Sequence, residues 1–131
     1  MQIGEVARSV GVATSAIRYY EEAGLIPEPE RTRSGYREYQ PEILDRLGFI
    51  RAGQAVGLTL AQLRDVLAIR DRGDAPCTHV AALIDTRIDE IDQRISGLRK
   101  LRRELTALAE TAAHFDPSDC SPGSVCRILT G

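Results

Sequence analysis

Residues 3–25 read IGEVARSVGVATSAIRYYEEAGL, two short stretches of helical apolar spacing joined at a glycine. Ile3, Val6, Ala7 and Val10 recur at helical intervals. Gly11 supplies a tight corner, and Ile17, Tyr20 and Leu25 resume the period after Ala13, Thr14 and Ser15. Helix, short turn with glycine, helix is the helix-turn-helix arrangement. The face of the second helix opposite Ile17 and Tyr20 carries Ser15, Arg18, Tyr19 and Glu22, a surface able to meet DNA.

Downstream, residues 27–39 read PEPERTRSGYREY, with two prolines and a Ser-Gly turn flanked by Arg and Tyr. This pattern predicts a two-stranded wing built on a hairpin, exposing Arg31, Arg33, Tyr36, Arg37 and Tyr39. Pro41 sits where a first helical turn accepts proline, so a helix is expected from there to about Val56, ended by Gly57. Its core residues are Ile43, Leu44, Leu47, Phe49 and Ile50. Thr59 to Gln62 has the form of a capping box, which opens a further helix to Asp71 with Leu60, Leu63, Val66 and Leu67 inward. Residues 1–71 are thus expected to form a winged helix-turn-helix head.

From Cys77 to Ala113 the only Gly or Pro is Gly97, and Ile84, Ile88, Ile91, Ile95, Leu98 and Leu105 follow the spacing of a coiled-coil seam, with Arg102 the polar intruder. A helix over 76–113 would be about 55 Å long at 1.5 Å per residue. A narrow apolar stripe on a long charged helix needs a second helix against it, and the source expected is another copy of the chain. The fold class is therefore mainly α, a winged head followed by a long helix that forms an antiparallel coiled coil in a homodimer.

Residues 114–131, HFDPSDCSPGSVCRILTG, make a Pro/Gly/Ser/Asp loop with cysteines in the form C-x5-C. Thiolates are soft ligands, and this loop suits Zn(II), Cd(II), Hg(II) or a similar ion. Cys77 starts the long helix and Cys120 lies beyond its end, too far apart to meet within one chain. Antiparallel pairing sets Cys77 of one chain beside Cys120 and Cys126 of the other, a site shared between subunits and present twice by symmetry. His79 and His114 lie near the converging ends and could add a ligand, although a solvent-exposed histidine at a helix end is the plainer reading. Asp116 and Asp119 are expected to form turns.

The whole chain of 131 residues and 14.4 kDa is 43% hydrophobic and 27% charged, which excludes disorder and a membrane span. MQIGEVARSVGV holds no apolar signal core, so a cytoplasmic location is expected, and the odd count of three cysteines favours free thiols there. No Gly-rich phosphate loop and no His set against an acid point to an enzyme. A net charge of −2 argues against a nucleic-acid partner. That objection weakens because Arg8, Arg18, Arg31, Arg33 and Arg37 fall largely on the second helix and the wing.

Ile3 to Ala7, Gly11-Val12, Ile17 to Glu21, Gly24 to Ile26, and Gly35-Tyr36-Arg37 with Tyr39 resemble the N-terminal signature of the MerR family of bacterial transcription regulators. The remainder is similar to that family's metal-sensing branch. The resemblance implies a dimer on a palindromic operator in promoter DNA, which it distorts on binding inducer so that RNA polymerase can engage. It places Arg18, Tyr19 and Tyr20 on the recognition site, and Arg31, Tyr36 and Arg37 on the backbone with Tyr39 behind them. Thr14, Ser15 and Arg33 complete the expected DNA-binding set. It also assigns Cys77, Cys120 and Cys126 as ligands of a divalent soft metal inducer, Hg(II) or Zn(II). Three thiolates suit trigonal Hg(II), while His114 or His79 would help complete a tetrahedron for Zn(II). The chain departs from the family in two places. Its cysteine loop is shorter, and Ala13 stands where a capping Ser or Asn is usual, so Thr14 is expected to cap one residue late. The other reading left open is a DNA-binding regulator that responds to thiol oxidation or whose cysteines are structural.

Overall fold

The structure, a computed structural model, describes residues 1–120, 122–123 and 125–130. Parts of the expected C-terminal loop, at 121, 124 and 131, lie outside the described residues. The chain is mainly α. Helices α1 (Ile3–Val10) and α2 (Thr14–Glu22) are followed by strands β1 (Glu30–Arg31) and β2 (Arg37–Glu38), then by α3 (Ile43–Ala55), α4 (Leu60–Asp71) and α5 (Cys77–Ala113). A 3-10 turn over Pro117–Asp119 and the short α6 (Arg127–Thr130) close it. Two compact units are resolved, Met1–Arg87 and Ile88–Gly131.

In the first unit α1 and α2 meet at Gly11, whose φ of 70° is the left-handed conformation that glycine adopts without a Cβ clash. The helices are held by one core in which Val6, Ile17, Leu25, Leu47, Ile50 and Leu63 are wholly enclosed. The wing is an antiparallel pair with Glu30 opposite Glu38 and Arg31 opposite Arg37. Its turn closes through Gly35 N to Thr32 O at 2.9 Å and Thr32 N to Tyr36 O at 2.8 Å, with Gly35 at φ 84°. That is the three-residue hairpin whose last turn residue must be left-handed. Leu83 of α5 lies partly buried against the same core, and Arg87 Nε donates to Val56 O at 3.2 Å.

Two local expectations are corrected. Helix α3 begins at Ile43, not Pro41: Ile43 N donates to Gln40 O and Leu44 N to Pro41 O, the tighter bonding of an entry turn. Thr14 does not cap α2. Both Ala16 N and Ile17 N donate to Ala13 O, which makes Ala13 the N-cap and Thr14 the first helical residue, and no side chain caps the start. The capping box of α4 does form, with Gln62 N to Thr59 Oγ1 at 3.1 Å and Thr59 N to Gln62 Oε1 at 2.9 Å. In α5 the stripe of Ile84, Ile88, Ile91, Ile95, Leu98, Leu101 and Leu105 is 41–65% exposed, far above the burial of the head's core. No helix among the described residues is long and apolar enough to cross a membrane.

Candidate functional site

Helix α2 is amphipathic, and burying Ile17 and Tyr20 turns Ser15, Arg18, Tyr19 and Glu22 outward, all exposed. Thr14 is half-buried at the helix start. On the wing, Arg31, Arg33 and Tyr36 are exposed, and Arg31 Nη1 donates to Gly35 O at 2.8 Å, bracing the hairpin turn. Arg37 is half-buried, its Nε 3.4 Å from Glu21 Oε2.

Tyr20 and Tyr39, expected on the DNA-binding surface, are instead in the core, at 6% and 3% exposure. A buried tyrosine needs a partner for its hydroxyl. Tyr20 Oη donates to Gln54 Oε1 at 2.9 Å, tying α2 to α3, and Tyr39 Oη donates to Glu21. Burial, then the hydrogen bond and charge of Glu21, push the Tyr39 phenol well above its ordinary value, so it remains a donor. Glu21 and Gln54 had no assigned role in the sequence. The signal that could have found them is the pair of tyrosines at apolar positions, each requiring an acceptor.

Other head arginines serve the fold. Arg46 Nε donates to Leu25 O at 2.7 Å and its two Nη atoms grip Asp71 at 2.7 and 3.0 Å, which holds that carboxyl below its usual value. Arg51 donates to Val10 O, and Arg64 Nη1 to Ala23 O at 3.3 Å.

All three cysteines are free. Cys77 is exposed as the first residue of α5, and His79 is exposed in the same turn. His114 is exposed just past Ala113. In the second unit, Asp116 accepts from Ser118 N at 3.0 Å and caps the turn that delivers Cys120; that bond holds the Asp116 carboxyl below its usual value. Arg127 Nη1 donates to Asp119 O at 2.8 Å, joining the residues that flank Cys120 and Cys126, both half-buried. Three soft, unpaired thiols are the right donor chemistry for a soft divalent ion. Among the described residues, no three His, Cys, Asp or Glu side chains of one chain are gathered to hold it.

Comparison with known proteins places these features in context. A family model described as MerR HTH family regulatory protein matches residues 1–68, and one described as MerR, DNA binding, matches residues 44–108. The mercuric resistance operon regulatory protein of Bacillus cereus is 42% identical over 109 residues, covering 83% of this chain and 83% of that one. Among solved structures, the transcription regulator PbrR691 from Ralstonia metallidurans CH34 in complex with lead(II) superposes with a TM-score of 0.78 at 36% identity, over 92% of this chain and 94% of that one. The dual-function regulator MerR of Bacillus megaterium MB1 in complex with mercury(II) gives 0.64 at 34% identity, over 99% of this chain and 97% of that one.

Proposed function

Since the chain belongs to the MerR family of helix-turn-helix transcription regulators, we propose that it is a dimeric sensor in which a divalent soft metal ion, held on three thiolates, switches transcription from a promoter. The observation that carries this reading is the placement of its three cysteines, one opening α5 and two in the loop beyond its end. The working parts are the head (1–71), the dimerisation helix (76–113) and the metal loop (114–131).

The spacing along α5 favours antiparallel pairing. With the two-fold axis midway between Arg94 and Ile95, Ile91 falls opposite the partner's Leu98 and Ile84 opposite the partner's Leu105, so the apolar stripe meets its own image. The same register brings Cys77 to the partner's Ala112, at the end of α5 where the cysteine loop begins. Cys77 of one chain with Cys120 and Cys126 of the other then forms each of two sites. Three thiolates satisfy Hg(II); Zn(II) requires a fourth ligand, for which His114 or His79 is at hand. Relatives whose names record mercury are the support for placing Hg(II) first, beside a similar structure that holds lead(II).

On DNA, Thr14, Ser15, Arg18 and Tyr19 address the groove, while Arg31, Arg33, Tyr36 and Arg37 address phosphates. A two-fold dimer matches a palindromic operator, and energy stored in bending and untwisting that DNA provides the switch offered to RNA polymerase. The protein works in the reducing cytoplasm, which keeps its thiols available.

The test is transcription from the promoter beside its gene, titrated with Hg(II), Pb(II), Cd(II), Zn(II) and Cu(I) in turn. Induction is expected at the lowest concentration with Hg(II) and is lost with Cys126→Ser. Induction by oxidant alone, or a metal response untouched by Cys126→Ser, overturns the reading.

A further inference from the structure

Among the described residues, every hydrogen bond and ion pair that joins α2 to the wing segment 30–39 ends on one side chain, Glu21. It stands in the last turn of α2, 11% exposed, and its two oxygens are used separately. Oε1 accepts from Tyr39 Oη, and Oε2 faces Arg37 Nε at 3.4 Å. Residues 37 and 39 are two apart on an extended segment, so both side chains leave it on the same side, toward α2.

We propose that Glu21 is a positioning residue for DNA binding: it orients the guanidinium of Arg37 and, through Tyr39, fixes the wing against the recognition helix. The inference rests on the reading of the head as a DNA-binding winged helix. A carboxylate beside a phosphate-binding surface repels DNA and neutralises one of its few cations. Such a charge is a net cost to binding unless it holds something in place. Here it does so through the edge of the guanidinium. The ion pair at Nε leaves the Nη amino groups as donors, and a guanidinium whose position is restrained this way meets a phosphate with less entropy left to lose. Tyr39 is buried and its hydroxyl donates to the other oxygen of Glu21, which anchors the base of the wing at the same time.

The two roles open to Glu21 give opposite results. If it only neutralises charge, Glu21→Gln strengthens all DNA binding. If it positions Arg37, Glu21→Gln, which turns an amide NH2 toward the guanidinium, weakens specific binding while leaving nonspecific binding equal or stronger. The measurement uses the duplex that the wild-type protein selects from a random-sequence pool, with a scrambled duplex as the nonspecific probe. The expected result is a loss of about tenfold or more on the selected duplex, the scale of one charge-assisted hydrogen bond, with no loss on the scrambled one. Unchanged or tighter binding to the selected duplex overturns the proposal.

Arg37→Lys provides an arm that leaves the core untouched. It keeps the charge and removes the fork, and is expected to lose the same selectivity; wild-type binding by Arg37→Lys overturns the proposal. The double variant is expected to bind no worse than the weaker single one, since both changes break one arrangement, and additive losses overturn it. A wild-type protein that selects no duplex at all refutes the DNA-binding reading itself, a failure distinct from that of Glu21.

Discussion

Gly48 and Gly53 both lie inside α3, yet the structure sets them apart. A Cβ on Gly48 would meet nothing within 4 Å, whereas one on Gly53 would press into the Cδ atoms of Leu63, a wholly buried residue of α4. Glycine in a helix interior costs roughly 1 kcal/mol relative to alanine. Gly48→Ala is therefore expected to stabilise the head by roughly 0.5–1 kcal/mol. Gly53→Ala gains the same propensity but overpacks the α3–α4 contact, typically a cost of about 1–3 kcal/mol. Its net effect is destabilising. Urea unfolding of the two variants checks the sign, and a stabilising Gly53→Ala would show that Leu63 can give way. No sequence pattern separates these two glycines, because the difference lies in a contact between helices and not in the period of either. The same limit applies to Tyr20 and Tyr39. The apolar period of α2 turns Tyr20 inward while the family resemblance puts it on DNA, and only the packing shows that the two hydroxyls are spent on Gln54 and Glu21.

At the scale of elements, signals carried within a few neighbouring residues were the legible ones. The capping box of Thr59 and Gln62, the glycine corner at Gly11, the Ser34-Gly35 turn and the end of α4 at Asp71 each follow from local hydrogen bonding that short spacing reveals. The start of α2 was legible only in part. The family resemblance marks Ala13 as an unusual cap, but the remedy expected from Thr14 does not form, because Ala13 already accepts the first helical bond and holds the extended conformation of an N-cap, φ −73° and ψ 151°. The first-turn N–H groups of α2 consequently have no side-chain acceptor at the cap position. Ala13 is exposed, so a small polar residue can be placed there without repacking. Ala13→Ser is expected to stabilise the head by about 1 kcal/mol, through a hydroxyl that accepts from the backbone of the first turn. Equilibrium denaturation measures it, and a variant no more stable than the parent would mean that water already satisfies those groups equally well.

The whole molecule asks for a second chain. Helix α5 leaves a stripe of isoleucine and leucine 41–65% exposed, the kind of surface that the proposed second chain would cover. The proposed metal site would have the same incompleteness, since its expected ligands sit at opposite ends of a 37-residue helix. Periodicity and spacing suggest both from the sequence alone, because a long helix fixes the separation of its ends; they leave the metal open, because two cysteines in a loop and one at a helix start do not set a coordination number. Sharing of the site between chains has a consequence that no single-chain site can imitate. Cys77→Ser and Cys120→Ser homodimers each lack every complete set of three thiols. In a mixed dimer the first variant supplies Cys120 and Cys126 and the second supplies Cys77, so one of the two sites is whole. Random pairing of equal amounts makes half the dimers mixed, and the mixture should bind about a quarter of the wild-type metal. Co-expression of the two variants followed by a metal titration gives the number directly. If all three ligands came from one chain, the mixture would bind no more than either variant alone, and the antiparallel arrangement of thiols would be wrong even if the dimer were real.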